Sequence, residues 1–268
     1  MAISHIKMKD QLDRDINLNS SPKRILSLVP SQTELLHDLG LENAIVGITK
    51  FCVHPIHFKK TKQIVGGTKT INLEKIKALN PDIILCNKEE NTKEIVKQCE
   101  AICTTHVSNI VNIDDCLELI AQYGEIFKKE TNAAKISDKI KVNLKDFQAF
   151  IKNKQTLKAA YFIWRNPWMV AGNGTFINHL LELNKFENVY KNLERYPEIN
   201  LEKIQEEGNP EIILLSSEPY PFKDEHVLEI SCATYNTKTL LVDGEMFSWY
   251  GSRLIKAFDY FKKLHQKL

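Results

Sequence analysis

A stripe of apolar residues at helical spacing lies in the middle of the chain. The apolar positions recur every three or four residues and are Ala133, Ile136, Ile140, Leu144, Phe147 and Ile151. No glycine or proline occurs between Gly124 and Pro167. Helical spacing without helix breakers predicts one long amphipathic helix over residues 131–155.

The same short sequence occurs on both sides of this predicted helix. Asn72-Leu-Glu-Lys-Ile76 is followed by Asn80-Pro-Asp-Ile-Ile-Leu85, and Asn200-Leu-Glu-Lys-Ile204 is followed by Asn209-Pro-Glu-Ile-Ile-Leu214. The copies begin 128 residues apart (200 − 72), and the second contains one extra residue. Each copy is typical of a capped helix, a turn and a strand. We therefore predict two related lobes joined by the long helix.

Short apolar strands alternate with helices through most of the remaining chain, which favours parallel sheets covered on both faces. The predicted fold class is α/β, with two mostly parallel lobes joined by a single long helix. The predicted boundaries are residues 1–130 for the N-terminal lobe, 131–155 for the helix and 156–268 for the C-terminal lobe. Ser31-Gln32-Thr33-Glu34 has the pattern of a capping box that begins the first helix. No element is predicted before Met8.

Ligands of open α/β sheets bind beyond the carboxyl ends of the strands, so the loops at those ends are the candidate site. All three tryptophans fall in such loops, and loop aromatics favour a cleft that stacks on a flat ligand. Alternatively, these aromatics pack as lids on their own lobes. The predicted ligand-binding residues are Phe51, Cys52, His54, Thr68, Lys88, Trp164, Trp168, Tyr196, Phe247, Trp249 and Arg253.

One loop contains possible metal donors, because Cys52, His54 and His57 lie within six residues of one another. Three donors in one loop more commonly remain ordinary side chains, so we predict no protein-held metal. His54 could still be an axial ligand to a metal in a bound chelate. The chain has no G-x-S-x-G, Walker or H-E-x-x-H motif, which favours a non-enzyme. An enzyme with His54 or Cys52 as its reactive group is the alternative.

Glu74 and Glu202 occupy matching places, each two residues after a capping asparagine. The helix dipole alone favours a carboxylate there, by a few tenths to about 1 kcal/mol. One carboxylate in each lobe also indicates a two-point docking surface for a partner with basic residues.

Composition and charge exclude several classes. The net charge of +2 gives no indication of nucleic-acid binding, and no stretch approaches the ~20 apolar residues of a membrane span. Residues 1–23 are polar and lack the apolar segment of a signal peptide. The protein is therefore expected in the cytoplasm if this is its native full length. The six cysteines are expected to be reduced and mostly buried.

The segment from Arg24 to Glu34, the pair Val46-Gly47 and the first Asn72–Leu85 motif resemble the helical-backbone metal-receptor family. These are the substrate-binding proteins of ABC importers for cobalamin, ferric siderophores and haem, and the likeness is strongest to the cobalamin-binding branch. It extends from about Arg24 to Lys262. The resemblance implies a ligand cleft between the two lobes and a location in the periplasm or cell envelope.

The resemblance also implies roles for individual residues. Glu74 and Glu202 would dock on arginines of the importer permease. Phe51 and Tyr196 would match aromatic residues of the cleft, together with Trp164 or Trp168. Thr68 replaces a further aromatic, and His54 stands where the family has a tyrosine. The implied function is to bind a corrinoid or related metal chelate and deliver it to an importer.

Several alternatives remain open beside that function. The protein could bind a ferric siderophore or haem, or it could be a cytoplasmic relative that senses a small anionic chelate without docking a permease. The cleft loops contain more charge than a corrinoid site needs, including Lys50, Lys69 and Lys88. We predict a monomer without a resident cofactor.

Overall fold

The computed structural model describes residues 5–235 and 237–268. The strands are β1 (Ile6–Lys9), β2 (Asp15–Leu18), β3 (Ile25–Ser27), β4 (Ile45–Ile48), β5 (Gln63–Ile64), β6 (Ile83–Asn87), β7 (Thr104–Ser108), β8 (Leu157–Trp164), β9 (Met169–Val170), β10 (Phe186–Asn188), β11 (Ile212–Ser216) and β12 (Lys238–Val242). The helices are α1 (Pro30–Asp38), α2 (Phe58–Thr61), α3 (Leu73–Ala78), α4 (Lys93–Glu100), α5 (Ile113–Phe127), α6 (Glu130–Ile151), α7 (Phe176–Leu183), α8 (Ile204–Glu207), α9 (Asp224–Ala233), α10 (Gly244–Ser248) and α11 (Leu254–His265).

The chain divides into two compact units. Unit 1 comprises the chain up to Lys141 together with Tyr250–Ile255, and unit 2 comprises Val142–Trp249 and Lys256–Leu268. The predicted α/β class with parallel sheets is confirmed. Within the described residues, no helix combines the length and the apolar character that a membrane span needs.

Unit 1 contains a parallel sheet in the order β5-β4-β3-β6-β7. An antiparallel hairpin of β1 and β2 precedes it and buries Ile6, Ile16 and Leu18. The sequence prediction assigned no element before Met8, whereas β1 begins at Ile6. Each hairpin strand is only four residues long, so its alternation of apolar and polar positions is too brief to detect.

Unit 2 contains the parallel order β10-β8-β11-β12, with β9 antiparallel to β8. Aromatic rings from α6 and α11 fill one part of its core. Phe147 is fully buried, and its ring centroid lies 5.9 Å from that of Phe258 and 5.8 Å from that of Phe261. These contacts bury the second half of the apolar stripe of α6.

The helix α6 confirms the prediction from the stripe. Ala133, Ile136, Ile140, Phe147 and Ile151 are buried along it. It ends at Ile151, four residues before the predicted end, because the following residues 152–155 are all polar and offer nothing to bury. The first half of the helix belongs to unit 1 and the second half to unit 2.

The two copies of the repeated motif occupy equivalent places in their sheets. Asn72 accepts a hydrogen bond from Lys75 N at 3.0 Å at the start of α3, and β6 follows and pairs with β3. In the second copy, a 3-10 turn at Leu201–Lys203 leads into α8, and β11 pairs with β8. Asn80 and Asn209 precede the prolines with left-handed φ angles of 44° and 46°, a conformation that asparagine tolerates.

The start of α1 corrects one prediction. The helix begins at Pro30, and Val29 in an extended conformation occupies the capping position without a side-chain hydrogen bond. Gln32, Thr33 and Glu34 are therefore inside the helix and buried, and do not form a capping box. Proline suits this position because its fixed φ is helical and its missing N–H would have no helical partner.

The segment Tyr250–Ile255 differs from the predicted domain boundary. The sequence prediction placed this segment in the C-terminal lobe, but it belongs to unit 1, so the chain passes between the units three times. A buried ion pair holds it there, since Arg253 Nε donates to Glu34 Oε2 at 2.9 Å. Gly251 has φ +87°, and a Cβ there would lie 3.3 Å from Leu35 Cβ, so glycine lets the segment approach α1.

Candidate functional site

An exposed aromatic ring lies at the carboxyl end of β4 in unit 1. Phe51 is 50% exposed, and Lys50 Nζ lies 5.0 Å from its ring centroid. The ring rests on Gly67, where an added Cβ would lie 3.1 Å from Phe51 Cε2. Phe51 thus packs on Gly67 and keeps half of its surface exposed, as a stacking residue requires.

The neighbouring loops of unit 1 are held by their own hydrogen bonds. Asn91 Nδ2 donates to Thr68 O at 2.9 Å, and Lys69 Nζ donates to Glu89 O. Asn87 Oδ1 accepts from Glu89 N at 2.8 Å. These bonds fix Thr68, which is buried, and leave Lys88 exposed. We call Phe51, Thr68, Lys69, Lys88 and Glu90 the unit 1 strand-end surface.

Glu90 gives that surface a carboxyl group with altered acidity. Burial raises its pKa, and the nearby Lys69 and a hydrogen bond from the Thr68 hydroxyl oppose part of the effect. The surface therefore offers cationic, apolar and weakly acidic groups together.

A buried polar cluster lies beneath the carboxyl ends of β6 and β7. Gln32 Nε2 donates to Ser108 Oγ at 2.6 Å and to Tyr250 OH at 3.0 Å, and Gln32 Oε1 accepts from Tyr123 OH at 2.6 Å. Asn87 Nδ2 also donates to Ser108 Oγ at 2.9 Å. Sequence reasoning missed this cluster; polar Gln32 directly after a buried strand was the available signal, and it was assigned to a cap.

The loop after β4 does not form the metal site considered from the sequence. Cys52 is fully buried, with its sulfur 3.1 Å from Thr33 Oγ1 and 3.3 Å from Thr49 Oγ1, and burial raises the pKa of its thiol. His57 Nε2 lies 2.8 Å from Glu42 Oε1. Over residues 5–235 and 237–268, no group of three or more His, Cys, Asp or Glu side chains is arranged to hold a metal ion. Cys52, predicted to bind ligand, is buried here, while His54 is half-buried.

Unit 2 presents aromatic rings after β8. Trp164 is 39% exposed, and its ring meets that of Tyr220 edge-on at 5.6 Å. Trp168 is half-buried and stacks on Phe222, with 6.1 Å between centroids and 4° between planes. We call Trp164, Trp168 and Tyr220 the unit 2 aromatic surface.

Arg165 braces this aromatic surface from the side. Its guanidinium carbon lies 5.4 Å from the Trp168 ring centroid. It also donates to both carboxylate oxygens of Glu229, at 2.9 and 2.8 Å. A bidentate pair fixes the guanidinium plane, which restrains the Trp168 ring. Tyr196, predicted from the sequence, is half-buried in the loop before the second motif.

Three predicted ligand-binding residues are buried and held by partners within their own unit. Phe247 is fully buried against Tyr161 and Phe261, with centroid distances of 5.1 and 4.8 Å. Trp249 is buried, and its indole Nε1 donates to Glu218 Oε1 at 2.8 Å. Arg253 is buried in its ion pair with Glu34. The alternative that loop aromatics pack on their own lobe applies to Phe247 and Trp249.

The two candidate docking glutamates lie where the sequence placed them. Glu74 is exposed in the first turn of α3 and pairs with Lys77 Nζ at 3.0 Å. Glu202 is exposed in the turn that Asn200 caps, with Glu202 N donating to Asn200 Oδ1 at 3.0 Å. Their docking role stays a prediction.

Comparison with known proteins identifies the family. Residues 25–231 match the periplasmic binding protein family over most of the chain. The chain belongs to this family. The resemblance to the helical-backbone metal receptors is thereby confirmed at the level of the family and the fold.

Individual periplasmic binding proteins are similar over long stretches. An uncharacterized ABC transporter substrate-binding lipoprotein of Bacillus subtilis, YvrC, is 27% identical over 191 residues, covering 68% of this chain and 60% of that protein. The vitamin B12-binding protein of Vibrio cholerae is 23% identical, covering 72% of this chain and 70% of that protein. A solved periplasmic haem-binding protein from Pseudomonas aeruginosa has a TM-score of 0.79 and 19% identity, covering 91% of this chain and 92% of that one.

Proposed function

We propose that this chain is the substrate-binding protein of an ABC importer and that it binds a corrinoid such as vitamin B12, or a related metal chelate. The observation that carries the proposal is the pair of partly exposed aromatic rings at strand ends, Phe51 in unit 1 and Trp164 in unit 2. Flat conjugated ligands bind by stacking on such rings. Similarity to a vitamin B12-binding relative supports the choice of a corrinoid.

A smaller anionic chelate, such as a ferric siderophore or haem with its carboxylates, is the second candidate. The loops of unit 1 favour it, because Lys50, Lys69 and Lys88 are exposed there and Lys50 Nζ lies 5.0 Å from the Phe51 ring centroid. The fold shared with a haem-binding protein is compatible with this ligand. In either case we expect binding without turnover.

We further propose that Glu74 and Glu202 dock the protein on basic residues of the importer permease. Both carboxylates are exposed in the first turn after a capping asparagine. A periplasmic or envelope location follows from this function and agrees with the lipoprotein relative. A cytoplasmic protein that senses the ligand and docks no permease is the alternative.

Equilibrium titration tests the ligand. The full chain is titrated with cobalamin, haem and ferric siderophores while tryptophan fluorescence is followed, with free N-acetyltryptophanamide correcting for light absorption by the ligand. Cobalamin is expected to quench saturably with micromolar or tighter affinity. Trp164→Phe should reduce the quenching, since Trp164 is the exposed tryptophan, Trp168 is half-buried and Trp249 is buried. Saturation by haem or a siderophore alone selects the second candidate, and no saturation by any ligand refutes both.

Importer binding tests the docking. Glu74→Ala combined with Glu202→Ala should weaken binding to the detergent-solubilised importer while leaving the ligand titration unchanged. Glu206→Ala, an exposed glutamate in the same part of unit 2 as Glu202, is the matched control. Equal importer binding by the double variant and the control would reject the docking role.

A further inference from the structure

Unit 2 contains a cavity that none of the predicted ligand-binding residues line. Its volume is about 400 Å³, and it lies beside the second copy of the repeated motif. The lining residues that matter here are Tyr190, Leu193, Glu198, Ile199, Asn200 and Glu207. We call this cavity the Tyr190 pocket.

The wall of the Tyr190 pocket is a backbone segment held in place by hydrogen bonds. Asn173 N donates to Leu193 O at 2.7 Å, and Val170 N donates to Pro197 O at 3.1 Å. Gly172 permits this close pairing, because a Cβ there would lie 2.2 Å from Leu193 O. The pocket is therefore preformed, and a ligand needs to order little of the chain on binding.

A buried hydroxyl without a partner lies at the pocket. Tyr190 is only 3% exposed, and its hydroxyl has no hydrogen-bond partner within residues 5–235 and 237–268. Burial and the negative charge of Glu207 raise the pKa of this hydroxyl to about 12, so it is neutral at physiological pH. Buried polar atoms are nearly always satisfied in folded proteins, so an orphan hydroxyl beside a cavity indicates a missing partner.

The rim of the pocket is acidic and its wall is apolar. Glu198 and Glu207 are exposed, and neither forms an ion pair in the described part of the chain. Leu193 is 44% exposed, and Ile199 is half-buried beside it. A guanidinium group on an aliphatic stem suits such a site, because the stem packs on apolar side chains while five N–H donors meet the oxygens. A lysine ammonium is a compact, strongly hydrated charge and matches the two carboxylates and the Tyr190 hydroxyl less well.

We propose that the Tyr190 pocket receives an arginine side chain of the membrane partner that docks at Glu202. This inference rests on the proposed docking function. The pocket and Glu202 are contiguous, because Asn200 lines the pocket and also caps the turn that holds Glu202. One basic segment of a partner can therefore reach both.

Charge near the two docking glutamates supports unit 2 as the dominant electrostatic contact. Residues 194–211 contain six glutamates and two cations, a net charge of −4 (2 − 6). Residues 69–82 around Glu74 contain three lysines and two acids, a net charge of +1 (3 − 2), and Glu74 itself is paired with Lys77. A basic partner is therefore attracted more strongly to the unit 2 surface than to the surroundings of Glu74.

Binding of a guanidinium probe to the full chain tests the pocket. The isotopically labelled protein is titrated with N-acetylarginine amide, and backbone amide signals are followed by NMR. Saturable shifts are expected at Tyr190 and Leu193. The neutral isostere N-acetylcitrulline amide and the lysine analogue should bind at least about tenfold more weakly, as expected when charge-assisted hydrogen bonds are lost.

Variants tie the binding to the pocket. Glu198→Gln combined with Glu207→Gln should weaken probe binding at least about tenfold, and Tyr190→Phe by several-fold, whereas Glu206→Gln, which does not line the pocket, should leave it unchanged. Equal binding of citrulline or lysine probes, or unchanged arginine binding by the double Gln variant, overturns the proposal.

The importer assay distinguishes a partner's arginine from a free guanidinium compound. The double Gln variant should bind the importer several-fold more weakly and cobalamin as tightly as the parent. Unchanged importer binding by a variant that has lost the probe means that the pocket takes a free compound, which overturns the docking assignment. The probe measurement does not depend on cobalamin or on Glu202. It therefore still tests arginine binding at the Tyr190 pocket if the proposed function fails.

Discussion

The buried polar cluster of unit 1 allows a test in which two substitutions should not add. Gln32→Leu removes the acceptor of Tyr123 OH and the donor shared by Ser108 and Tyr250. An unsatisfied buried hydroxyl costs about 2 kcal/mol and a lost net hydrogen bond about 1 kcal/mol, so the variant should lose about 3 kcal/mol of unfolding free energy. Tyr123→Phe instead leaves Gln32 Oε1 without its hydrogen-bond donor and should lower the unfolding free energy by about 2 kcal/mol.

The double variant removes both partners of the Tyr123–Gln32 bond and leaves neither atom stranded. Only lost net hydrogen bonds remain, that of the Gln32 amide donor and that of the Tyr123–Gln32 pair at about 1 kcal/mol each, so its loss should be about 2 kcal/mol. The sum of the single variants is about 5 kcal/mol, so the coupling should be about 3 kcal/mol. All three tryptophans belong to unit 2, so their fluorescence would not report on the cluster. Hydrogen exchange of β6 peptides, measured by mass spectrometry, gives the opening free energy of unit 1 directly.

Pairing Gln32→Leu with Tyr190→Phe is the control, because the Tyr190 hydroxyl has no partner and belongs to unit 2. That pair should be additive. Additivity of Gln32→Leu and Tyr123→Phe to within about 0.5 kcal/mol would show that the two side chains do not share a stabilising bond.

Three further predictions follow from single sites. Phe51→Ala should weaken cobalamin binding about tenfold in titration, because it removes a stacking contact of about 1 kcal/mol and the apolar area that the ring buries against the ligand. Its melting temperature in calorimetry should stay unchanged. Ile56→Ala, at a residue 81% exposed in the same loop, is the control and should bind cobalamin as the parent does. Gly47→Ala should lower the unfolding free energy by about 1–3 kcal/mol in urea titration, because the new Cβ would lie 2.4 Å from Leu26 Cδ1 and 2.7 Å from Leu79 Cδ1. Burial acts to raise the pKa of Asp10, but hydrogen bonds from Arg14, Val107 N and Leu12 N outweigh burial and hold that pKa below 3.8. The ionised Asp10 carboxylate therefore stabilises the fold above pH 3.8, and this stabilisation is lost as pH falls through the folded pKa. Asp10→Asn should therefore lower stability at pH 7 and flatten the acid limb of a melting-temperature profile, and an acid limb as steep as that of the parent would contradict this assignment.

Local signals in the sequence were sufficient for the elements that local forces determine. Asn72 and Asn200 cap their turns through atoms two or three residues away, so a short motif is enough to predict them. The stripe of α6 is equally local, because its spacing alone defines the buried face.

Long-range pairing determines the surroundings of the residues that the sequence could not place. Arg253 bonds to Glu34 across 219 positions, and Tyr123 bonds to Gln32 across 91. Loop position alone does not distinguish an aromatic that stays exposed, such as Trp164, from one that packs inward, such as Phe247. The direction depends on the partner, here Tyr161 and Phe261, and no short motif encodes that partner.

The return of Tyr250–Ile255 to unit 1 sets an order of events during synthesis. A ribosome completes β1 to β7 early. The contacts of Gln32 with Tyr250 and of Glu34 with Arg253 can form only when almost the whole chain has been made. Until then, the Arg253 guanidinium that pairs with Glu34 in the folded protein has not been made, and burying a carboxylate without its opposite charge is costly. Unit 2 is encoded almost entirely within that interval. The last helix, α11, therefore emerges just after the residues that allow the first part of the protein to close.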